Sequence, residues 1–151
     1  MIYIAHRGLL NGPNKKIENN PNQIKKCLDL NFDCEIDVWL INNSFYLGHD
    51  NPTYLVDLNF LKNKKFWIHC KNIECLNFLS KKNKHNFFWH ENDKFTLTSK
   101  NFIWTYPNNC LLEKSICVMP ETYIDIKDVK KIKCFGICSD FILKIKKTID
   151  L

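Results

Sequence analysis

The sequence predicts an α/β protein, a reduced (β/α) TIM-type barrel with shortened or missing helices, formed by one domain over residues 1–151. Short apolar runs typical of buried parallel strands recur along the chain, and helical patterns separate the earlier runs. About seven or eight such strands are enough to close a barrel. A typical barrel of this type has about 250 residues, so a chain of 151 residues must lack several full helices.

The first elements follow from local signals. Residues 2–5 form a short apolar strand. Asn20-Pro21 then supplies an N-cap and a first-turn proline, which predicts a helix that ends near Asn31. Residues 34–41 form the second strand, because this segment is largely apolar and rich in strand-forming side chains.

The later elements alternate in the same way. Asn42-Asn43 is a tight turn into a partner strand that ends at residues 48–50. A helix is expected over about residues 72–82. The remaining predicted strands are residues 66–70, 86–89, 102–105, 116–119 and 134–138. The gaps near residues 90–101 and 106–115 are too short for crossover helices, so loops or a second copy in a homodimer should cover the strands there.

Composition places the chain among folded proteins, with 45% hydrophobic and 25% charged residues. No apolar run approaches the roughly 18 residues of a membrane span. The first residues also lack the pattern of a signal peptide, so we expect a cytoplasmic protein. The eight cysteines lie mostly in apolar segments, which favours a reduced compartment, and their spacing is a poor match to a zinc site.

Four of the five histidines lie at or near the carboxyl ends of predicted strands: His6, His49, His69 and His90. The carboxyl ends of parallel strands meet on one face, so these side chains should lie together. Each of them alone is more simply an ordinary core or surface histidine. Arg7 is the sole arginine among 22 basic residues, and a guanidinium binds phosphate through two parallel hydrogen bonds.

Two pairs of polar side chains share a strand face. Glu35 and Asp37 are two residues apart, so the pleat points both to one side, and the same spacing joins His69 to Lys71. Adjacent carboxylates repel unless a cation or a shared proton neutralises them, and Mg²⁺ or Ca²⁺ would do so through oxygen ligands. The alternative is an exposed strand edge that faces water.

An ordered set of motifs resembles the glycerophosphodiester phosphodiesterase family of phospholipase-C-like enzymes. The matching motifs are Ile4-Ala5-His6-Arg7-Gly8, Glu18-Asn19, Glu35-Ile36-Asp37-Val38, Gly48-His49-Asp50, Lys71 and a late Gly136-Ile137-Cys138-Ser139-Asp140. The resemblance implies metal-dependent hydrolysis of a phosphodiester, such as a glycerophosphodiester or a phospholipid headgroup. It covers the first 71 residues most strongly.

The same resemblance implies a role for each matching residue. His6 and His49 would be the general acid and base, and Arg7 and Lys71 would hold the phosphate. The ligands implied for a divalent ion are Glu35 and Asp37, with Glu18 and His69 as further candidates. Mg²⁺ or Ca²⁺ is expected, with Mn²⁺ and Zn²⁺ as alternatives.

His69 departs from the family pattern, which usually has an acidic ligand two residues before the lysine. Imidazole suits Mn²⁺ or Zn²⁺ better than Mg²⁺ or Ca²⁺. The alternative function is therefore a catalytically impaired protein that binds a phosphate or a phosphodiester. A nucleic-acid partner is not expected, although the net charge of +6 attracts anions.

Three aromatic or acidic residues each have two alternative roles. Trp104 and Tyr106 lie near the predicted rim, where they would stack on a substrate or simply pack in the core. Asp140 ends the last predicted strand, where it would face the site or cap a turn.

Overall fold

The computed structural model describes residues 1–82 and 84–151, and within these residues it has ten strands in one mixed sheet and three α-helices. The strands are β1 (Ile2–Ala5), β2 (Asp33–Ile41), β3 (Ser44–Leu47), β4 (Tyr54–Val56), β5 (Phe66–Cys70), β6 (Asn86–Phe88), β7 (Phe95–Leu97), β8 (Ile103–Thr105), β9 (Ser115–Val118) and β10 (Gly136–Ser139). The helices are α1 (Pro21–Asp29), α2 (Ile73–Ser80) and α3 (Ile142–Ile149), and short 3-10 turns cover His6–Gly8, Phe60–Lys62, Pro120–Thr122 and Ile126–Lys131.

The sheet curls into a half-barrel. Its order is β4-β3-β2-β1-β10-β9-β8-β7, and β5 and β6 extend it from β2. Parallel pairing joins β1 to β2 and β10, β2 to β5, β5 to β6, and β9 to both β8 and β10. The pairs β2–β3, β3–β4 and β7–β8 are antiparallel.

The prediction of a reduced (β/α) TIM-type barrel is therefore wrong. A parallel neighbour needs a crossover of a dozen or more residues, whereas an antiparallel neighbour needs only a short turn. In the described chain, β6, β8 and β9 are followed by loops or 3-10 turns instead of α-helices. The short chain thus gains strands through hairpins, and strands dominate the architecture.

Several local predictions are confirmed. The side chain of Asn20 accepts hydrogen bonds from the backbone N–H groups of Asn22 and Gln23, and Pro21 opens α1. The turn at Asn42-Asn43 connects β2 to β3, and both asparagines have a positive φ, as this hairpin turn requires. The strands β4 and β7 and the helix α3 were not predicted.

Two apolar clusters hold the sheet in its curl. The larger one lies between the sheet and the helices and includes the fully buried Ile24 and Cys27 of α1. The smaller one is contributed by strands alone, so it fills the inside of the curl: Ile4, Trp67, Phe88, Trp104, Ile116, Val118 and Cys138. All eight cysteines have free thiols. None of the described helices is long and apolar enough to span a bilayer.

Candidate functional site

A cleft of about 580 Å³ opens at the carboxyl ends of the parallel strands. It brings together these predicted site residues: His6, Arg7, Glu18, Glu35, His49, His69 and Lys71. His90, Trp104, Tyr106 and Asp140 also line it. Asp37 lies beneath the cleft, fully buried, and contacts three of its lining side chains. The strand face with Glu35 and Asp37 and the strand face with His69 and Lys71 thus meet at this cleft, together with His6, His49 and His90.

The turn after β1 aims Arg7 into this cleft. Arg7 has a left-handed backbone, with φ 51° and ψ 27°, which is uncommon for a residue other than glycine. Its backbone N–H donates to Oε2 of Glu35 at 3.0 Å, and its side chain donates from Nη1 to Oε2 of Glu18 at 3.2 Å. The strained conformation is therefore held by two carboxylates, which is typical of a functional position.

Gly48 places His49 at the rim. Gly48 has a φ of 146°, and a Cβ atom there would lie 2.0 Å from the carbonyl oxygen of Asn51, so a side chain is excluded. Nδ1 of His49 donates to Oδ1 of Asp50 at 2.6 Å. A carboxylate only accepts, so Nε2 of the neutral ring is left free for a ligand or a proton transfer.

Two carboxylates at the centre of the site have opposite pKa shifts. Burial and the charge of Asp37 raise the pKa of Glu35. Burial would also raise the pKa of Asp37, but the contact with the His69 ring and the positive charges of Arg7 and Lys71 outweigh it and hold this pKa well below its usual range. Asp37 is therefore the anionic centre of the site.

Asn19 fixes Asp37 through two hydrogen bonds. Its Nδ2 donates to Oδ2 of Asp37 at 2.8 Å, and its Oδ1 accepts from the backbone N–H of Asp37 at 2.9 Å. Asn19 is fully buried. The orientation of Asp37 is thus determined from a loop eighteen residues earlier in the sequence.

His69 directs one ring nitrogen at both carboxylates. Its Nε2 lies 2.9 Å from the carbonyl oxygen of His90, and since a carbonyl only accepts, Nε2 carries the proton. Nδ1 lies 2.9 Å from Oδ1 of Asp37 and 3.8 Å from Oε1 of Glu35. The short contact to Asp37 lacks the direction of a hydrogen bond, and Oδ1 finds no donor among the described residues.

These three residues form a cluster with the spacing of a metal site. One donor atom from each of Glu35, Asp37 and His69 lies within 4.8 Å of the other two. It is the one such group of three among the described histidines, cysteines and acidic residues. Glu18 lies outside it and binds Arg7 instead.

His6 is oriented by a residue from the other end of the chain. Its Nδ1 donates to Oδ1 of Asp140 at 2.7 Å, and its Nε2 lies 3.9 Å from Oε2 of Glu35. Burial alone would lower the pKa of His6, but the hydrogen bond to Asp140 and the charge of Glu35 raise it above its usual value. Oε1 of Glu121 accepts from the backbone N–H of Asp140, which holds that aspartate in place.

Comparisons with family models, curated proteins and solved structures give no match to this chain. The function is therefore inferred from the geometry of the cleft. Sequence reasoning left Asp140 open and did not single out Glu121, which lies in a 3-10 turn without a recognisable motif. Asn19 lies in one of the motifs that match the family, but no role was predicted for it. Its position directly after Glu18 was the signal that indicates a residue of the site.

Proposed function

We propose that this protein cleaves a phosphodiester with a divalent metal ion held by Glu35, Asp37 and His69. The contact between His69 and Asp37 carries the proposal. Nδ1 and Oδ1 lie 2.9 Å apart, and Oδ1 has no hydrogen-bond donor among the described residues. Neighbouring ligand atoms at about 2.1 Å from one ion are about 3 Å apart. The two atoms thus already have the separation that a shared ion requires.

The second ring nitrogen of His69 supports the same interpretation. Metal-binding histidines usually donate their other N–H to a carboxylate, a water or a backbone carbonyl. Nε2 of His69 does so to His90. Two carboxylates and one imidazole suit Mn²⁺ or Zn²⁺ better than Ca²⁺. We therefore expect Mn²⁺ to bind more tightly than Mg²⁺ or Ca²⁺.

Arg7 and Lys71 supply the positive charge for a phosphate. Nε of Arg7 is buried and has no acceptor among the described residues, although it lies 3.3 Å from Oδ2 of Asp37. Nζ of Lys71 lies 3.8 Å from Oδ1 of Asp37. A phosphate in the cleft would offer oxygen acceptors to both side chains.

His6 and His49 perform the proton transfers. Nδ1 of His6 and Nδ1 of His49 each donate to an aspartate, so both residues keep Nε2 for the substrate. One histidine removes the proton from the attacking oxygen, and the other supplies a proton to the departing alcohol. When bound, the metal ion lowers the pKa of the attacking oxygen and neutralises charge on the phosphate.

The motif series is the second line of support. It resembles glycerophosphodiester phosphodiesterases in the residues proposed here as acid, base, phosphate contacts and two metal ligands. We therefore propose a glycerophosphodiester or a phospholipid headgroup as the substrate class, and a relationship to that family in spite of the different fold.

A calorimetric titration tests the metal site. Wild-type protein, His69→Ala and His85→Gln are titrated with Mn²⁺, Zn²⁺, Mg²⁺ and Ca²⁺. We expect His69→Ala to lose more than about 10-fold in Mn²⁺ affinity, because removing a ligand costs at least as much as removing a group that orients one. His85 lines a different cavity, so His85→Gln controls for binding to any histidine and should match wild type. Equal affinity in wild type and His69→Ala would contradict the metal site.

Phosphorus NMR tests turnover. Purified protein is incubated with glycerophosphodiesters and each metal, with chelator and His69→Ala as controls. New phosphomonoester or cyclic phosphate signals that vanish in both controls support the proposal. Metal and phosphate binding without turnover would favour the impaired binding protein instead.

A further inference from the structure

A second cavity lies at the amino ends of the parallel strands, opposite the cleft. This amino-end cavity has a volume of about 360 Å³, and the first residues of four parallel strands line it, namely Ile2, Asp33, Phe66 and Asn86. No described residue lines both this cavity and the cleft. Its volume is in the range of small-molecule sites. The amino-end cavity is therefore a candidate ligand site of its own.

The wall of the amino-end cavity is rich in positive charge. Lys64, Lys84 and Lys100 line it, against one carboxylate, that of Asp33. Oδ2 of Asp33 accepts a hydrogen bond from Nε1 of Trp67 at 2.9 Å. The side chains of Lys64 and Lys84 form no ion pair or hydrogen bond with any described residue. The cavity therefore has a surplus of positive charge, which attracts an anion.

His85 adds a buried hydrogen-bonding group to the same wall. It is only 8% exposed, and its Nδ1 donates to the carbonyl oxygen of Leu61 at 3.0 Å. Burial and the charges of nearby lysines lower the pKa of His85, so the ring is neutral and Nε2 is an acceptor. Nε2 has no partner among the described residues, and it is not fully enclosed by protein. This nitrogen is therefore accessible to a ligand in the cavity.

These groups select a ligand with two features. Ammonium groups favour an anion, and a phosphate monoester supplies about two negative charges together with strong oxygen acceptors. The acceptor Nε2 of His85 favours a group that donates, such as a hydroxyl. A sugar phosphate combines both features in a molecule of small size.

We propose that the amino-end cavity binds a sugar phosphate, with Lys64 and Lys84 at the phosphate group and Nε2 of His85 accepting from a sugar hydroxyl. This site is distinct from the phosphodiester site proposed for the cleft, and it does not depend on that function. Because the two cavities lie at opposite ends of the strands, a ligand in one leaves the other open.

Histidine side-chain NMR reports on the two ends of the molecule separately. Ribose 5-phosphate is titrated into the wild-type protein without added metal, and His85→Gln identifies the ring signals of His85. We expect these signals to shift and to saturate. Ribose should not bind, because it lacks the charge, and inorganic phosphate should bind more weakly, because it lacks the sugar. Shifts confined to His6 and His49 would place the ligand in the cleft and overturn the inference, as would no shift at all.

Two double variants with the same change in net charge test the lysines. Lys64→Gln/Lys84→Gln removes two charges from the cavity, and Lys25→Gln/Lys26→Gln removes two exposed charges from α1. We expect the first variant to lose at least about 10-fold in affinity for ribose 5-phosphate, the worth of one hydrogen bond to a charged group, and the second to match wild type. Equal losses in both variants would show that net charge alone attracts the ligand, which overturns the site.

A third variant tests the contact with the sugar. Phenylalanine keeps an aromatic ring but removes Nε2, so His85→Phe should reduce the preference for ribose 5-phosphate over inorganic phosphate by about 3- to 10-fold. Backbone amide signals of Phe66 and Asn86 report binding in this variant. An unchanged preference would overturn the assignment of a sugar phosphate. Melting temperatures identify an unfolded variant, and the exposed lysines carry the test if His85→Phe does not fold.

Discussion

Two histidine–aspartate pairs border the same cleft and are built in opposite ways. The Nδ1–Oδ1 distance is 2.7 Å in His6–Asp140 and 2.6 Å in His49–Asp50. The first pair joins residues 134 positions apart, and its side chains are 12% and 8% exposed. The second pair joins neighbours, whose side chains are 32% and 62% exposed. The two pairs therefore have nearly equal Nδ1–Oδ1 distances but very different exposure to solvent.

The difference shows that burial, more than distance, decides what such a pair contributes. Water screens and competes for the contact of His49 with Asp50, so this pair adds little beyond local order. The pair of His6 with Asp140 is shielded, and Glu121 holds the aspartate from behind. A shielded hydrogen bond between charged groups is stronger and costs more to break.

Removing either histidine should have the largest effect. We expect His6→Ala and His49→Ala each to lower kcat/KM for a cleaved phosphodiester by about 100- to 10,000-fold, since each removes a proton-transfer group. Steady-state kinetics in the presence of Mn²⁺ measure both values. If kcat/KM falls in His6→Ala but not in His49→Ala, His49 takes no part in the proton transfers.

Removing the buried aspartate should have the next largest effect. Asp140→Asn keeps the size of the side chain but no longer anchors the His6 ring through a charge. We expect kcat/KM to fall by roughly 10- to 100-fold, as for other carboxylates that orient a functional histidine. Unchanged kinetics would mean that Glu35 and packing orient His6 without help.

The buried pair should also make stability depend on pH. The pKa of His6 is raised in the folded protein, so its stabilising effect is present below about pH 6.5 and is lost as the pH rises through the folded pKa. Asp140→Asn should therefore lower the free energy of unfolding more at about pH 5.5 than at about pH 9, by on the order of 1 kcal/mol. Urea unfolding with chelator present measures this, and an equal loss at both pH values would contradict it.

Removing the exposed aspartate should have the smallest effect. The hydrogen bond with His49 lowers the pKa of Asp50, but the side chain of Asp50 is largely exposed to solvent. We expect Asp50→Asn to change kcat/KM by less than about 3-fold, within the range of an exposed ion pair. A loss as large as that of Asp140→Asn would remove the distinction between the two pairs.

Local signals in the sequence were sufficient for many individual elements. The N-cap at Asn20, the turn at Asn42-Asn43 and the strand pleat that pairs Glu35 with Asp37 depend on residues close in sequence. The His49–Asp50 pair is of the same kind. Such features follow from backbone preferences and side-chain period, which act over a few residues.

The arrangement of strands and the inner side of the site followed from the tertiary structure alone. Hairpin pairing replaced the expected barrel because strand partners are chosen by packing over the whole chain. Asp140 reaches His6, and Asn19 reaches Asp37, only because distant segments meet. The sequence by itself therefore determined which chemical groups are present and where many of the elements begin, whereas burial and pKa depend on three-dimensional neighbours that local patterns do not encode.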